Sequence, residues 1–213
     1  MLKYYFDLLS QPSRAVWIFL RMNNIPHIPC PVALRKDSVE DVVDWLVVAN
    51  SVAILRYLCR EFPVAEHWYP RNSCTQARVD EYMAWQHANT RLNCAMFFQA
   101  KWLNPTITGE PANEEDIQRF QQGMEKVLTE LETVWLKDRH FISTDNDISL
   151  ADLLAVCELE QPSIAGYDVY EGRPKLNDWG ERVKARLNPY FGEAHTIVFR
   201  WKEKFSGKPP SKL

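Results

Sequence analysis

The sequence predicts an α+β protein, with a small α/β unit at the N-terminus followed by an all-helical domain. Three observations carry this. Leu2 to Val32 reads as strand, helix, strand, the opening of a βαβ unit of about 30 residues. After Arg71 the apolar residues recur at helical spacing. Within that part, Ile148-Ser149-Leu150-Ala151-Asp152-Leu153 is a nearly complete helix start: Ser149 is the N-cap and Asp152 the reciprocal acid, with Ile148 and Leu153 as the hydrophobic staple.

Leu2 to Leu8 is a short apolar and aromatic run, the pattern of a buried strand, and Val16, Phe19, Leu20 and Ile25 then recur at helical spacing. Between them, Leu8-Leu9-Ser10-Gln11-Pro12-Ser13-Arg14-Ala15 turns one element into the other. Pro12 suits only a first helical turn, which puts Ser10 at the start of the helix. There its hydroxyl lies beside free N–H groups and the positive end of the helix dipole. Such a place is an ordinary N-cap position, and also a natural seat for an anion. Ile28, Cys30 and Val32 alternate as in a half-buried strand, while Pro26, Pro29 and Pro31 each remove a ladder donor and make it an edge or irregular strand.

Val39, Val42, Val43, Leu46 and Val47 predict an amphipathic helix over 35–50, with Asp37 and Glu40, or Ser38 and Asp41, as its capping box. Ser51 to Phe62 is a stronger helix, capped by Asn50 or Ser51, striped by Ile54, Leu55, Leu58 and Phe62, and ended by Pro63. Pro63 to Pro70, with His67-Trp68-Tyr69, reads as a linker pinned by aromatics. Cys74 to Trp102 lacks Pro and Gly and predicts one helix of roughly 43 Å at 1.5 Å per residue. Pro105, Gly109 and Pro111 should break it. Ile117 to Trp135 marks the next helix, Pro174 starts one carrying Trp179, and a last one runs from about Phe191 to Lys204. The expected organisation is therefore an α/β domain over 1–62, a linker over 63–70, a helical domain over 71–205 and a basic, Pro-rich tail over 206–213.

Composition narrows the function. The 213 residues are 46% hydrophobic and 25% charged, with a net charge of −3. This gives no electrostatic case for nucleic acid or an anionic membrane. No apolar run is long enough to span a bilayer, and no secretory signal opens the chain. The five cysteines contain no Cys-x-x-Cys and read as reduced, mostly buried thiols; the five histidines show no metal-ligand spacing. Neither phosphate-binding glycine motif occurs.

Several separated motifs, in order, resemble the cytosolic glutathione transferases and specifically their theta class. ISLAD, in a helical domain after a small α/β unit, carries the wider likeness, and LLSQPSRA, SVAILRYL, the RVDEYMAWQH stretch from Arg78 to His87 and EGRPKL from Glu171 to Leu176 carry the likeness to the theta class. The resemblance implies a thioredoxin-like N-terminal domain and a helical-bundle second domain. Glutathione is then a co-substrate conjugated to small hydrophobic electrophiles, with no metal or organic prosthetic group. Ser10 becomes the catalytic hydroxyl that stabilises the thiolate. Tyr4 and Tyr5 are alternative hydroxyls, but they alternate along a strand and read as core residues. Ser51 matches the serine of a Glu-Ser pair that holds the γ-glutamyl end of glutathione, and Asn50 stands where the pair has its glutamate. Arg91 lies where theta-like proteins can turn an arginine toward the site. A homodimer and a cytoplasmic location also follow from the resemblance.

One segment departs from the pattern. Only 18 residues, Ala33 to Asn50, separate the second strand from the Ser51 helix, about fifteen fewer than the family uses for a β-hairpin and a cis-proline. No Pro occurs between Pro31 and Pro63, and no Gly before Gly109, so neither feature is expected there. This supports an alternative function, a catalytically impaired binding or dimerisation module on the same scaffold. Finally, Ser211-Lys212-Leu213 ends the sequence and matches a peroxisomal address.

Overall fold

The structure, a computed structural model, describes residues 1–33 and 50–205. The helix expected over 35–50, apart from its last residue Asn50, with its alternative capping boxes, and the terminal Ser211-Lys212-Leu213, lie outside the described residues. Strand β1 (Leu2–Phe6) and strand β2 (His27–Pro31) form a two-stranded parallel sheet joined through helix α1 (Gln11–Met22). The expected strand–helix–strand opening is thus present. Tyr4 is buried and its hydroxyl donates to the Ser13 carbonyl at 2.6 Å. Tyr5, expected in the core, is 37% exposed, and Ile28, expected to be half-buried, is 41% exposed. The register explains both. Ile28 pairs with Lys3 and Cys30 with Tyr5, so they share the outward face, and the inward face carries Leu2, Tyr4 and Phe6.

Helix α2 (Ser51–Glu61) buries Leu55 and Leu58, and the chain after it is pinned as expected. Trp68 packs edge-on against Phe19 of α1 with centroids 5.2 Å apart, and His67 Nδ1 hydrogen-bonds the Ile148 carbonyl at 2.7 Å. Arg56 of α2 pairs with Asp80 of helix α3 (Ser73–Gln86), which also accepts from the Tyr69 hydroxyl at 3.0 Å.

The long helix differs from its expectation in two ways. Helix α3 continues through a π-helical turn (His87–Arg91), helix α4 (Leu92–Phe98), a second π-helical turn (Gln99–Leu103) and helix α5 (Asn104–Thr108). It therefore runs past Pro105, which follows the second π turn where the hydrogen-bond ladder is already displaced. It ends instead at Gly109, whose φ of 74° reverses the chain while its N–H donates to the Pro105 carbonyl.

Helix α6 (Glu114–Glu130) is capped by Asn113 and leads into a third π turn at Leu131–Trp135. Helix α7 (Leu150–Leu159) is buried on every side: all ten residues are inaccessible, and it packs against α1, α3, α4 and helix α8 (Pro174–Leu187). Its capping box is formed as the sequence predicts. Asp152 also accepts from Ile142 N at 2.9 Å and Trp179 Nε1 at 2.8 Å, tying two further segments to this helix start. Helix α9 (Tyr190–Phe205) packs on α1 and α8. The cysteines are free; Cys94 and Cys157 are buried, Cys30 and Cys59 partly so, and Cys74 is exposed rather than buried. Among the described residues no helix is long and apolar enough to cross a membrane.

Candidate active site

Ser10 is the N-cap of α1, with extended backbone angles and a carbonyl that accepts from Arg14 N at 3.1 Å. The turn leading to it is fixed by its own bonds: Ser10 N donates to Asp7 O at 3.0 Å, and Leu9 N to Asp7 Oδ1 at 2.9 Å. Yet its hydroxyl makes no capping bond and has no hydrogen-bond partner among the described residues. An N-cap side chain normally accepts from the N–H of N2 or N3. Gln11 is N1, so N2 is Pro12, which has no N–H; Ser13 at N3 is left as the one such donor, and the Ser10 hydroxyl does not engage it. The residue is partly exposed, at the positive end of a helix dipole, with its hydroxyl uncommitted.

Beneath Ser10 lies a group that sequence reasoning missed. Arg14 is fully buried and donates through Nη1 to the carbonyls of Leu8 (2.9 Å) and Leu9 (3.2 Å). Its Nη2 donates to the Cys157 carbonyl (2.9 Å) and to Gln161 Oε1 (2.7 Å), and Gln161 Nε2 returns a bond to the Leu9 carbonyl at 3.2 Å. The turn bearing Ser10 is therefore clamped to the C-terminal end of α7. Burial pulls the Arg14 pKa below that of a free guanidinium, while Cys157, Glu158, Glu160 and Asp7 favour its charge. A charge one turn along α1, among Ala15, Ile18 and Phe19, was the available signal.

The second cluster forms at the start of α2. Asn50 caps the helix, its Oδ1 accepting from Val52 N at 3.0 Å and Ala53 N at 3.1 Å. Ser51 is buried, and its Oγ accepts from Arg91 Nη2 at 3.1 Å. Arg91 Nε donates to Glu158 Oε1 at 2.8 Å, and Arg91 Nη1 faces His87 Nδ1 at 3.4 Å. Burial, then the neighbouring Arg91, lowers the pKa of His87, keeping a neutral ring beside the guanidinium. Arg91 closes the first π turn, where an added residue turns the following side chains to another face of the helix. The structure thus joins Ser51 and Arg91 directly, with Asn50 capping the same helix start; Ser10 stands at a different helix start. The two clusters meet at the C-terminal end of α7, through Cys157 and, just beyond the helix, Gln161 on one side and Glu158 on the other. Burial pushes the Cys157 and Cys59 thiols up to about 12, so neither offers a thiolate near neutral pH.

Residues 94–187 match the sequence profile of the glutathione S-transferase C-terminal domain. The chain is 39% identical to glutathione S-transferase theta-1 of Bos taurus across 99% of its own length and 94% of the relative's. It is 38% identical to glutathione S-transferase theta-3 of Mus musculus across 95% of the chain and 90% of that protein. It also superimposes on the apo form of human glutathione S-transferase T1-1 with a TM-score of 0.89 at 38% identity, covering 99% and 92% of the two chains. The human theta-class enzyme in complex with the glutathione conjugate of 1-menaphthyl sulfate gives 0.88 at 35% identity, covering 99% and 94%. The chain belongs to the theta class of the glutathione S-transferases.

Proposed function

We propose that the protein conjugates the thiol of glutathione to small electrophilic compounds, with Ser10 stabilising the thiolate. The observation that carries this is the uncommitted Ser10 hydroxyl at the start of α1, on a turn clamped by Arg14. A free cysteine-like thiol has a pKa of about 8.5 and is mostly protonated near neutrality. Lowering it by about two units takes roughly 2.7 kcal/mol of preference for the thiolate. A charge-assisted bond donated by Ser10 Oγ, together with the helix dipole, is suited to supply much of that. The glutathione S–H loses its proton to solvent. The thiolate sulfur then attacks the electrophilic carbon, a C–S bond forms, and the leaving group departs with the bonding pair. No prosthetic group takes part.

The γ-glutamyl carboxylate fits the start of α2, where the Ser51 hydroxyl, the positive end of the helix dipole and the Arg91 guanidinium converge. Asn50 contributes less. Its carbonyl is occupied by the helix cap, and it brings no charge to the α-amino group. That last point favours the second reading, a binding or dimerisation module. The shortened stretch between β2 and α2, about fifteen residues below the family's length, favours it too. Glutathione-affinity retention and a thiol-conjugation assay separate the two. Retention and turnover that collapse in Ser10→Ala support the enzyme; a folded protein that neither binds glutathione nor turns over electrophiles is the module. The remaining readings are domain limits at 1–62 and 71–205, a homodimer, which light scattering tests, and a cytoplasmic location with import into peroxisomes through Ser211-Lys212-Leu213. Deleting Leu213 should abolish punctate localisation.

A further inference from the structure

The carboxylate of Glu158 lies almost wholly inside the protein, with its side chain 1% exposed, on a helix otherwise built of apolar residues apart from the capping Asp152. Among the described residues its side chain makes one hydrogen bond, from Arg91 Nε to Oε1 at 2.8 Å; Oε2 has no partner. A buried carboxylate is costly, and replacing one by an apolar residue of similar size is commonly neutral or favourable for folding. Packing of α7 therefore gives no reason for a charge at this position.

The geometry of Arg91 does give one. A guanidinium carries five N–H donors in a rigid plane. Glu158 engages Nε, the donor nearest the main chain, from the protein interior. Ser51 Oγ and the His87 ring engage the Nη edge, and the side chain is 21% exposed. The arginine is gripped from within, and its outer edge is held at the start of α2. Without Glu158, a long, partly exposed side chain regains its rotamers, which an incoming ligand must then freeze again.

We propose that Glu158 is a positioning residue: it holds the Arg91 guanidinium against Ser51 in the geometry that receives the carboxylate of glutathione. This rests on the reading of Arg91 and Ser51 given above, and the test separates the two. Glutathione affinity without electrophile, KM for glutathione, kcat at saturating glutathione and thermal midpoint are measured for the intact protein, Glu158→Leu, Glu158→Gln, Arg91→Met and the Glu158→Leu/Arg91→Met pair. Arg91→Met should weaken glutathione binding on the order of tenfold. Glu158→Leu should raise KM by a similar factor while kcat changes less than about threefold, because Glu158 makes no hydrogen bond to the Ser10 turn and Glu160 and Asp7 still favour the charge of Arg14. Glu158→Gln, which keeps an acceptor at the same place, should recover most of the affinity. In the Arg91→Met background, Glu158→Leu should change affinity less than about twofold, since the residue acts only through the arginine. Glu158→Ala carries the same expectation if the leucine does not pack. An equal loss from Glu158→Leu with and without Arg91 would overturn the proposal, as would no loss from Glu158→Leu where Arg91→Met is impaired. Unchanged binding in Arg91→Met would instead overturn the assignment of Arg91, on which the proposal stands.

Discussion

Ser10 and Ser149 occupy the same position in their helices and do opposite things. Ser149 begins α7 with no exposed surface. Its Oγ accepts from Ala151 N at 3.3 Å and donates to Asp152 Oδ2 at 3.0 Å, and its N–H donates to the same carboxylate oxygen at 2.9 Å. Every polar atom of the side chain is used to start a helix. Ser10 begins α1 with extended backbone angles and no side-chain bond. The difference is written in the next residues. Ser149 is followed by residues that all carry an N–H, and by an acid at N3. Ser10 is followed by a proline at N2 and has no acid in the first turn. On the proposed reading, a capping position is available for function when one of its local donors is missing and the turn is held by something else, here Arg14.

The largest expected effect falls on the committed side. Asp152→Ala leaves Ile142 N, Ser149 N, Ser149 Oγ and Trp179 Nε1 without their acceptor in a buried place. It should lower unfolding free energy by about 3–5 kcal/mol in urea titrations, whereas conjugation per folded molecule stays near that of the intact protein. A small loss of stability would show that the capping box is not the anchor of the helical domain.

Ser10→Ala should do the reverse. Conjugation should fall about 100-fold, which is about 2.7 kcal/mol of transition-state stabilisation. The unfolding free energy from urea titration should change by less than about 0.5 kcal/mol, because no folded-state bond is lost. If stability fell like that of an ordinary N-cap variant, the two serines would be the same kind of residue after all.

This asymmetry also explains what could be read from the sequence. The start of α7 was legible because a capping box and its staple lie within six consecutive residues. Ser10 was legible as a position, since Pro12 marks a first helical turn. The burial of Ser51 against Arg91 was not, and neither were the partners of Arg14 and Glu158. Arg14 meets Gln161 across 147 positions and Arg91 meets Glu158 across 67. No local periodicity encodes such distant pairs. A charge inside an apolar helix stripe marks that a partner exists without naming it. The π turns escaped for a related reason: the sequence from His87 to Leu103 is helical in composition, and the added residue per turn appears only in the bonding pattern. The face of β2 was misjudged because alternation gives a period and leaves its phase to the register with β1.

The surroundings of the two serines differ in charge, and pH separates them. On α9, which packs against α1, His195 is buried with Nδ1 on the Phe191 carbonyl at 2.9 Å and its ring stacked on Phe191. Burial first, then Arg14 and Lys184, lowers its pKa well below 6.5, while the Phe191 carbonyl opposes the shift. In the folded protein the ring stays neutral where the unfolded chain takes up a proton. The stability it contributes is therefore complete above about pH 6.5 and is lost as pH falls from there toward the folded-state value. Relative to His195→Leu, the intact protein should lose up to about 1.4 kcal/mol per pH unit in that window. Parallel curves for the two proteins would place the acid sensitivity elsewhere.

The smallest effect tests the local cause of the contrast. Pro12→Ala restores an N–H at N2 of α1, where the Ser10 hydroxyl could accept it, as Ser149 Oγ accepts from Ala151. A bond to an N-cap oxygen is worth about 0.5–2 kcal/mol, and it competes with orienting the hydroxyl toward a thiolate. Conjugation should fall about threefold, and the acid limb of the pH–rate profile should move up by a few tenths of a unit. Stability is a poor readout, since the gained cap is offset by the greater freedom of the unfolded chain without proline. The decisive comparison is with Ser10→Ala/Pro12→Ala. Once the hydroxyl is gone, the proline should make no difference to rate. A threefold loss that persists without the hydroxyl would mean that Pro12 shapes the turn rather than freeing Ser10.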